Sequence, residues 1–329
     1  MKLAVVILNW NGKTLLETFL PSVVEYSQNA TVYVADNAST DDSLTYIRDN
    51  FPTVKIIKNK SNGGYAKGYN DALKHVEEPL FCLLNSDVEV TKNWLNPIIN
   101  TFITEPETAI IQPKILDYKN KSHFEYAGAA GGFIDKYGYP YCRGRIFNTI
   151  EADTNQYTDS ALIFWASGAC FFIRKNTYKA LNGFDESFFA HMEEIDLCWR
   201  AYNLDYKVKY VGTSTVYHVG GATLNALNPK KTFLNFRNSL FCITKNAPGN
   251  LFILIFIRLV LDGLAAFKFL IALKPLHILA ILKAHFSFYM HLTSLLKKRR
   301  QHTKIKGYYT KNSIVWLYFA KKKHFYSNL

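Results

Sequence analysis

The chain has few cysteines and no paired ones: Cys82, Cys142, Cys170, Cys198 and Cys242 are odd in number, widely spaced and without a CxxC motif. That pattern argues against a structural zinc site or dithiol redox centre and suits a reducing compartment, with most of them as small buried residues. Internal repeats and low-complexity tracts are absent, so neither a solenoid nor a disordered tail is expected. The opening run MKLAVVILNWNG is too short for a signal peptide and has no cleavage site, and it reads as a first strand. Acidic residues nearly vanish from the last hundred positions: 230–329 hold 18 Lys and Arg against one acid, Asp262, whereas 1–229 hold 21 against 25. A basic chain usually points to nucleic acid. Here the basic stretch is also the most apolar, with LFILIFIRLVLDGLAAFKFLIAL at 251–273, which points instead to an anionic membrane surface and no nucleic acid.

What is present is an alternation. LAVVILN (3–9), TVYVAD (31–36), VKIIKN (54–59) and LFCLLN (80–85) are apolar, β-branched runs of strand length. Helical spacing fills 13–25, 41–51 and 65–76 between them. This predicts βαβ units with right-handed crossovers and an α/β fold: a mostly parallel central sheet flanked by helices, with the ligand crevice at the strands' carboxyl ends. Residues 105–180 read as mixed β with long loops, 176–203 as helical on either side of Asn182-Gly183, and 207–218 as strand. From about 230 the pattern is helical, and Lys274-Pro275 divides an apolar helix from a basic one. At 329 residues and 49% hydrophobic content the chain fits one large domain or one domain with a sizeable appendage, here a helical extension at 246–329.

Four segments carry chemistry. Asp36, in DNASTDD (36–42), ends a buried strand and needs a partner, for which a nucleobase N–H or ribose hydroxyl serves; Ser39 to Asp42 read equally well as helix caps. In NGGYAKGYNDAL (62–73), Gly63 and Gly64 precede a helix, as a turn or as a close approach to phosphate. In LLNSDVEV (83–90), Asn85 and Asp87 suit a hard divalent cation that shares the substrate's phosphates, or a tight turn. In GFDESFFAHMEEIDLCWRA (183–201), Glu193, Glu194 and Asp196 stand among aromatics. Partial burial there raises a carboxylate's pKa toward the range useful to a general base, whereas a solvated acidic helix start is the plainer reading. His218 ends a strand before two glycines and reads as a core histidine or as a metal or phosphate contact.

In this order the segments resemble glycosyltransferase family 2, particularly bacterial rhamnosyltransferase-like members with the GT-A fold. The motifs are NWNG (9–12), DNASTD (36–41), NGGYAKGYN (62–70), NSD (85–87), GACFFIRK (168–175), FDESFF (184–189), EEIDLCWR (193–200), HVGG (218–221) and RN (237–238), and the likeness covers about 1–245. It implies an inverting transfer of a sugar from a nucleotide diphosphate donor to a hydroxyl of a glycan or lipid-linked glycan, in surface polysaccharide or glycolipid synthesis. It implies donor contacts at Asn9, Asn11, Asp36, Asn37, Asn62, Gly63, Gly64 and Asn85, and Mg²⁺ or Mn²⁺ on Asp87 with His218. It also implies an acceptor wall including Trp165, Gly168 and Asp196, and a base at Glu194, where the family's element has Asp; Glu193 is the neighbouring candidate. A Q-x-x-R-W motif and several clear spans, which polymerising members carry, are not seen. A non-catalytic sugar-binding or scaffold subunit is the competing reading, favoured by Glu in place of Asp.

Residues 251–273 are long enough to cross a bilayer. Arg258, Asp262 and Lys268 interrupt them, however, at roughly 2.5–3.5 kcal/mol per charge near the centre of a span. The preferred expectation is a helix in the interface that lets these side chains reach water, with KKRR (297–300) and KKK (321–323) on anionic headgroups at the cytoplasmic face of a bacterial inner membrane. One transmembrane helix at 251–273 is the alternative.

Overall fold

A computed structural model describes residues 1–220, 228–300 and 304–329; Gly221, the last position of the HVGG segment, lies outside them. The first strands form where the apolar runs predict: β1 Leu3–Asn9, β2 Thr31–Asp36, β3 Lys55–Lys58 and β4 Leu80–Asn85. Between them run α1 Lys13–Tyr26, α2 Ser43–Asn50 and α3 Gly64–Ala72. Side chains alternate across β1. Leu3, Val5 and Ile7 pack with Leu16, Leu20 and Val23 of α1, while Ala4 and Val6 face the opposite core with Ala66, Tyr69 and Ala72 of α3. Burial on both faces is what a parallel sheet requires.

Next come β5 Val88–Val90, α4 Leu95–Thr104 and β6 Thr108–Asp117. An excursion then builds a small second sheet from β7 Gly132–Ile134, β8 Pro140–Cys142, β9 Arg145–Ile146 and β10 Thr149–Ile150. Then follow β11 Ser160–Leu162, β12 Cys170–Arg174, α5 Lys175–Ala180, α6 Glu193–Asn203 and β13 Lys207–His218. The main sheet has the order β11-β13-β6-β12-β4-β1-β2-β3, with β5 paired to β13. It is parallel from β3 to β4 and mixed beyond, because β12 pairs antiparallel with both β4 and β6. The excursion delivers the chain back at the carboxyl edge of β4, so β12 has to run in the reverse sense. Asn9 pairs with Asp36 and Leu8 with Asn85, which sets three polar strand ends on one edge.

The chain ends in α7 Pro229–Asn246, α8 Leu251–Ile271, α9 Pro275–Arg300 and a strap over the second sheet that buries Tyr308 and Ile314. Among the described residues no helix is long and apolar enough to cross a membrane. The expectation that Arg258 and Asp262 reach water is corrected: they are 2% and 0% exposed. Arg258 lies 3.9 Å from the Tyr139 ring centre and donates to the Tyr137 carbonyl at 2.9 Å. Asp262 accepts from the Tyr139 hydroxyl at 3.2 Å and stands 3.1 Å from His285 Nε2. These charges fasten α8 to the body of the protein, so the helix turns its polar side inward and its apolar side outward. The KKRR run is divided in the same way: Lys298 is ion-paired with Asp185 at 2.7 Å, and Arg299 donates to the carbonyls of Thr244 and Ala247.

Candidate active site

The polar edge is built by side chains that hold one another. Asp36 is 2% exposed and accepts from Asn9 Nδ2 at 3.3 Å and from the Ser39 N–H at 3.1 Å. An ionised carboxylate has about four acceptor sites. Asn11 braces the same loop by accepting from the Thr40 N–H at 2.7 Å. Asn37 donates to Asn62 Oδ1 at 3.2 Å and to the Gly64 carbonyl at 3.1 Å, tying the β2 loop to the start of α3. Two of the N–H groups at that start are engaged within the protein. Gly64 N–H donates to Asn62 Oδ1 at 3.0 Å, and Tyr65 N–H donates to the Phe189 carbonyl at 3.0 Å. A Cβ on Gly64, whose φ is +79°, would meet that carbonyl at 2.6 Å, so glycine is needed for the chain to seat there.

At the end of β4, Asp87 Oδ1 lies 3.2 Å from His218 Nε2, and Asn85 Nδ2 lies 3.4 Å from the same nitrogen. His218 Nδ1 is 3.4 Å from Oε1 of Glu125, a carboxylate that is 4% exposed. Burial by itself lowers the imidazole pKa; the two carboxylates outweigh it and raise it to about 10. Glu125 went unrecognised in the sequence because it stands in an irregular loop with no motif, and only the fold brings it to His218.

Glu193 and Glu194 open α6, preceded by a loop in which Phe189, His191 and Met192 all have positive φ, at 64°, 68° and 70°. Bulky residues rarely adopt this region, and each costs roughly 1–3 kcal/mol, strain that gathers where function over-determines the backbone. Glu193 is 4% exposed and Glu194 half-buried, and an oxygen of each lacks a hydrogen-bond partner within the protein. Burial pushes Glu194 up to about 7; burial and the charge of Glu194 push Glu193 well above its ordinary value. Cys198 lies one turn beyond Glu194 on the same helix face and accepts from the Ala166 N–H, so that face looks onto segment 165–168. Tyr65 closes the circuit: its hydroxyl donates to the Gly168 carbonyl at 2.8 Å, and burial first, then Tyr69 and both glutamates, push its pKa well above the ordinary value. Asn85 N–H in turn donates to the Ala169 carbonyl at 2.9 Å.

Two expected acceptor residues are placed elsewhere. Asp196 is 0% exposed, paired with Arg200 at 2.9 Å and Lys245 at 2.8 Å, and it accepts from Asn246 at 2.7 Å. It joins α6 to α7, the outcome burial demands of a carboxylate with two cations in reach. Trp165 is 2% exposed and donates from Nε1 to the Phe133 carbonyl; its ring fills the space that a Cβ on Gly132 would need. Gly168 stays half-buried under the Tyr65 hydroxyl. Among the described residues no three His, Cys, Asp or Glu side chains form a set able to hold a metal. A cation here would take Asp87 and His218 and depend on substrate oxygens and water for the rest, as Mg²⁺ commonly does.

A model described as glycosyl transferase family 2 matches residues 4–181. An N-acetylglucosaminyl-diphospho-decaprenol L-rhamnosyltransferase of Mycobacterium tuberculosis is 22% identical over 231 residues, covering 66% of this chain and 75% of that protein. GalNAc-T7, solved with UDP, GalNAc and Mn²⁺, superposes with a TM-score of 0.58 at 15% identity over 75% of this chain and 48% of that one, so the chain spans about half its length. The mannosyltransferase PcManGT of Pyrobaculum calidifontis, with GDP-Man and Mn²⁺, gives 0.54 at 13% identity, covering 91% and 73%. At these identities the likeness to solved structures speaks for the fold.

Proposed function

The chain belongs to glycosyl transferase family 2 and has its GT-A fold, and from that premise we propose that it catalyses an inverting transfer of a sugar from a nucleotide diphosphate donor to an acceptor hydroxyl. The observation that carries this reading is the half-buried Glu194, with an unpartnered oxygen and a pKa near 7, turned toward segment 165–168. Such a carboxylate is about half ionised at neutral pH and, in its ionised form, basic enough to take the acceptor proton as the hydroxyl oxygen attacks the anomeric carbon. The C1–O bond to the diphosphate breaks as the new one forms, so one displacement inverts the centre. Asp36, oriented by Asn9 and the Ser39 N–H, has acceptor capacity left for a nucleobase N–H or ribose hydroxyl, with Asn11 and Asn85 beside it. Asp87 and His218 would hold Mg²⁺ or Mn²⁺, with the His218 imidazolium giving up its Nε2 proton as the cation binds. Glu125 on the far imidazole nitrogen is the carboxylate–histidine arrangement that supports metal ligands. When bound, the cation neutralises charge on the departing diphosphate.

The acceptor is proposed to be a membrane-held glycan or lipid-linked glycan, with the protein attached peripherally to an anionic bilayer. Its relative named for a diphospho-decaprenol substrate supports this, as do the apolar outward faces of α8 and α9. Replacing Glu194 with Gln is expected to lower transfer by about 10²–10⁴ while donor binding, measured by calorimetry with Mn²⁺ and a panel of UDP-, GDP- and dTDP-sugars, stays within a few-fold. Undiminished turnover in that variant would remove the base.

A further inference from the structure

The catalytic loop is held from a direction that the reaction itself does not require. Between Ser187 and Met192 the backbone leaves regular structure, and its carbonyls need partners other than the i+4 N–H of a helix. Each has one. Ser187 O accepts from Arg237 Nη2 at 3.2 Å, and Phe188 O accepts from Arg237 Nη2 at 3.1 Å, from Asn238 Nδ2 at 3.0 Å and, within the loop itself, from the Ala190 N–H at 2.8 Å. Phe189 O accepts from the Tyr65 N–H, whereas Ala190 O and His191 O accept from Asn238 Nδ2 at 2.9 and 2.8 Å. Met192 O receives the Asp196 N–H, the first bond of α6. Asn238 is 0% exposed, and its orientation is fixed because its Oδ1 accepts from Arg237 Nε at 2.8 Å. With two N–H donors, one of them shared between neighbouring acceptors, this amide on α7 therefore lies within hydrogen-bond distance of three carbonyls of a segment whose residues 189, 191 and 192 have positive φ.

We infer that Asn238, oriented by Arg237, is a positioning residue: its amide clamps segment 187–192 in this conformation and thereby sets where Glu193 and Glu194 stand. The inference rests on the proposed role of those glutamates for its kinetic consequence, but not for its structural one. The clamp also explains why the loop reaches the start of α3. With Asn238 behind it and Tyr65 N–H before it, the Phe189 carbonyl is the point where the base loop meets the glycine turn after Asn62. Other donors in the neighbourhood serve different purposes. Lys245 and Lys298 hold Asp185 just upstream, and Lys230 lies 5.5 Å from the Phe189 ring, so none of the three replaces the amide.

The test uses the full chain with Asn238→Ala, which removes the donors, and Asn238→Gln, which keeps an amide one methylene further out. Hydrogen exchange is followed by peptide, and turnover is read as nucleoside diphosphate released from the sugar-nucleotide panel with Mn²⁺. For Asn238→Ala, exchange is expected to rise at least about tenfold within 187–196 while β1 and β4 keep their protection. The turnover number should fall at least about thirtyfold with the donor KM within threefold, and Asn238→Gln should recover part of both. Unchanged exchange in 187–196, or a rise spread evenly over the sheet, overturns the clamp. If Asn238→Ala does not fold, Arg237→Gln, at a half-buried position, is judged by the same two outcomes. Retained turnover in Glu194→Gln together with a loosened 187–196 would remove the base assignment and leave the clamp standing.

Discussion

As the proposed base, Glu194 ties catalysis and stability to opposite ends of the pH scale. Its folded pKa, about 7, lies above the ordinary glutamate value, so between the two the folded state binds the proton more tightly than the unfolded state. Stability from this group is therefore fully present at low pH and is lost as pH rises through about 7, the range in which the base becomes active. Two outcomes follow from that sign. The acidic limb of kcat/KM should break near pH 7, and Glu194→Gln should gain melting temperature over the native protein increasingly from pH 5 to pH 8, as scanning calorimetry would show. A gain independent of pH would mean that Glu194 ionises freely in the folded protein. The other end of the cleft has its own test. Asp87→Ala should abolish the Mn²⁺-dependent part of nucleoside diphosphate binding in calorimetry, and if affinity keeps its metal dependence, the ligand role assigned to Asp87 is wrong.

At the scale of elements, the α6–α7 junction is an ion-pair network, with Asp196 between Arg200 and Lys245 and with Lys245 and Lys298 both on Asp185. Burial raises the Asp185 pKa, but the two lysines outweigh it and hold the carboxyl well below the usual range. Its stabilisation is thus present above the ordinary aspartate value and is lost as pH falls below it. Breaking a buried pair leaves an uncompensated charge, at about 3–5 kcal/mol. Asp196→Asn should lower the unfolding free energy by roughly that amount in urea titrations, with donor affinity unchanged; a variant as stable as the native protein but deficient in acceptor use would restore the acceptor role expected from the sequence. The buried setting of Asp196 differs from that expectation for a physical reason. Three acids in four residues at a helix start look alike in the sequence, and what separates Asp196 from Glu193 and Glu194 is Lys245, some fifty residues away on α7. The first ninety residues were legible because β1, β2 and β4 each end in a proposed donor contact, so the strand pattern locates Asn9, Asp36 and Asn85 directly. The mixed half of the sheet, Glu125 and the role of Asn238 depend on long-range pairing that no local pattern encodes.

For the molecule as a whole, the decisive feature is where the apolar surface lies. In most surface helices apolar residues face the core, but α8 and α9 bury Arg258, Asp262 and His277 while Phe252, Phe256, Leu264, Leu276, Phe286 and Met290 are each at least 60% exposed. Scattered exposed apolar residues are ordinary; a continuous face carried on two helices marks an interaction surface. The same helices and the strap after them carry most of the charge excess, including the exposed Lys274, Lys283, Lys297 and Arg300. Apolar burial combined with cationic rims fits an anionic bilayer, where each lysine near the surface contributes about 1 kcal/mol. The full chain should therefore co-float with vesicles containing about a third phosphatidylglycerol, more weakly with neutral ones, and should be released by alkaline carbonate, which leaves spanning proteins in place. The triple variant Phe252→Ser, Phe256→Ser, Leu264→Ser should lose flotation at every salt concentration, whereas Lys274→Gln with Lys283→Gln should lose it only as salt rises and screens the remaining charges. If the triple variant floats as well as the native chain, the hairpin is not the attachment surface, and its exposed face has to be covered by protein instead.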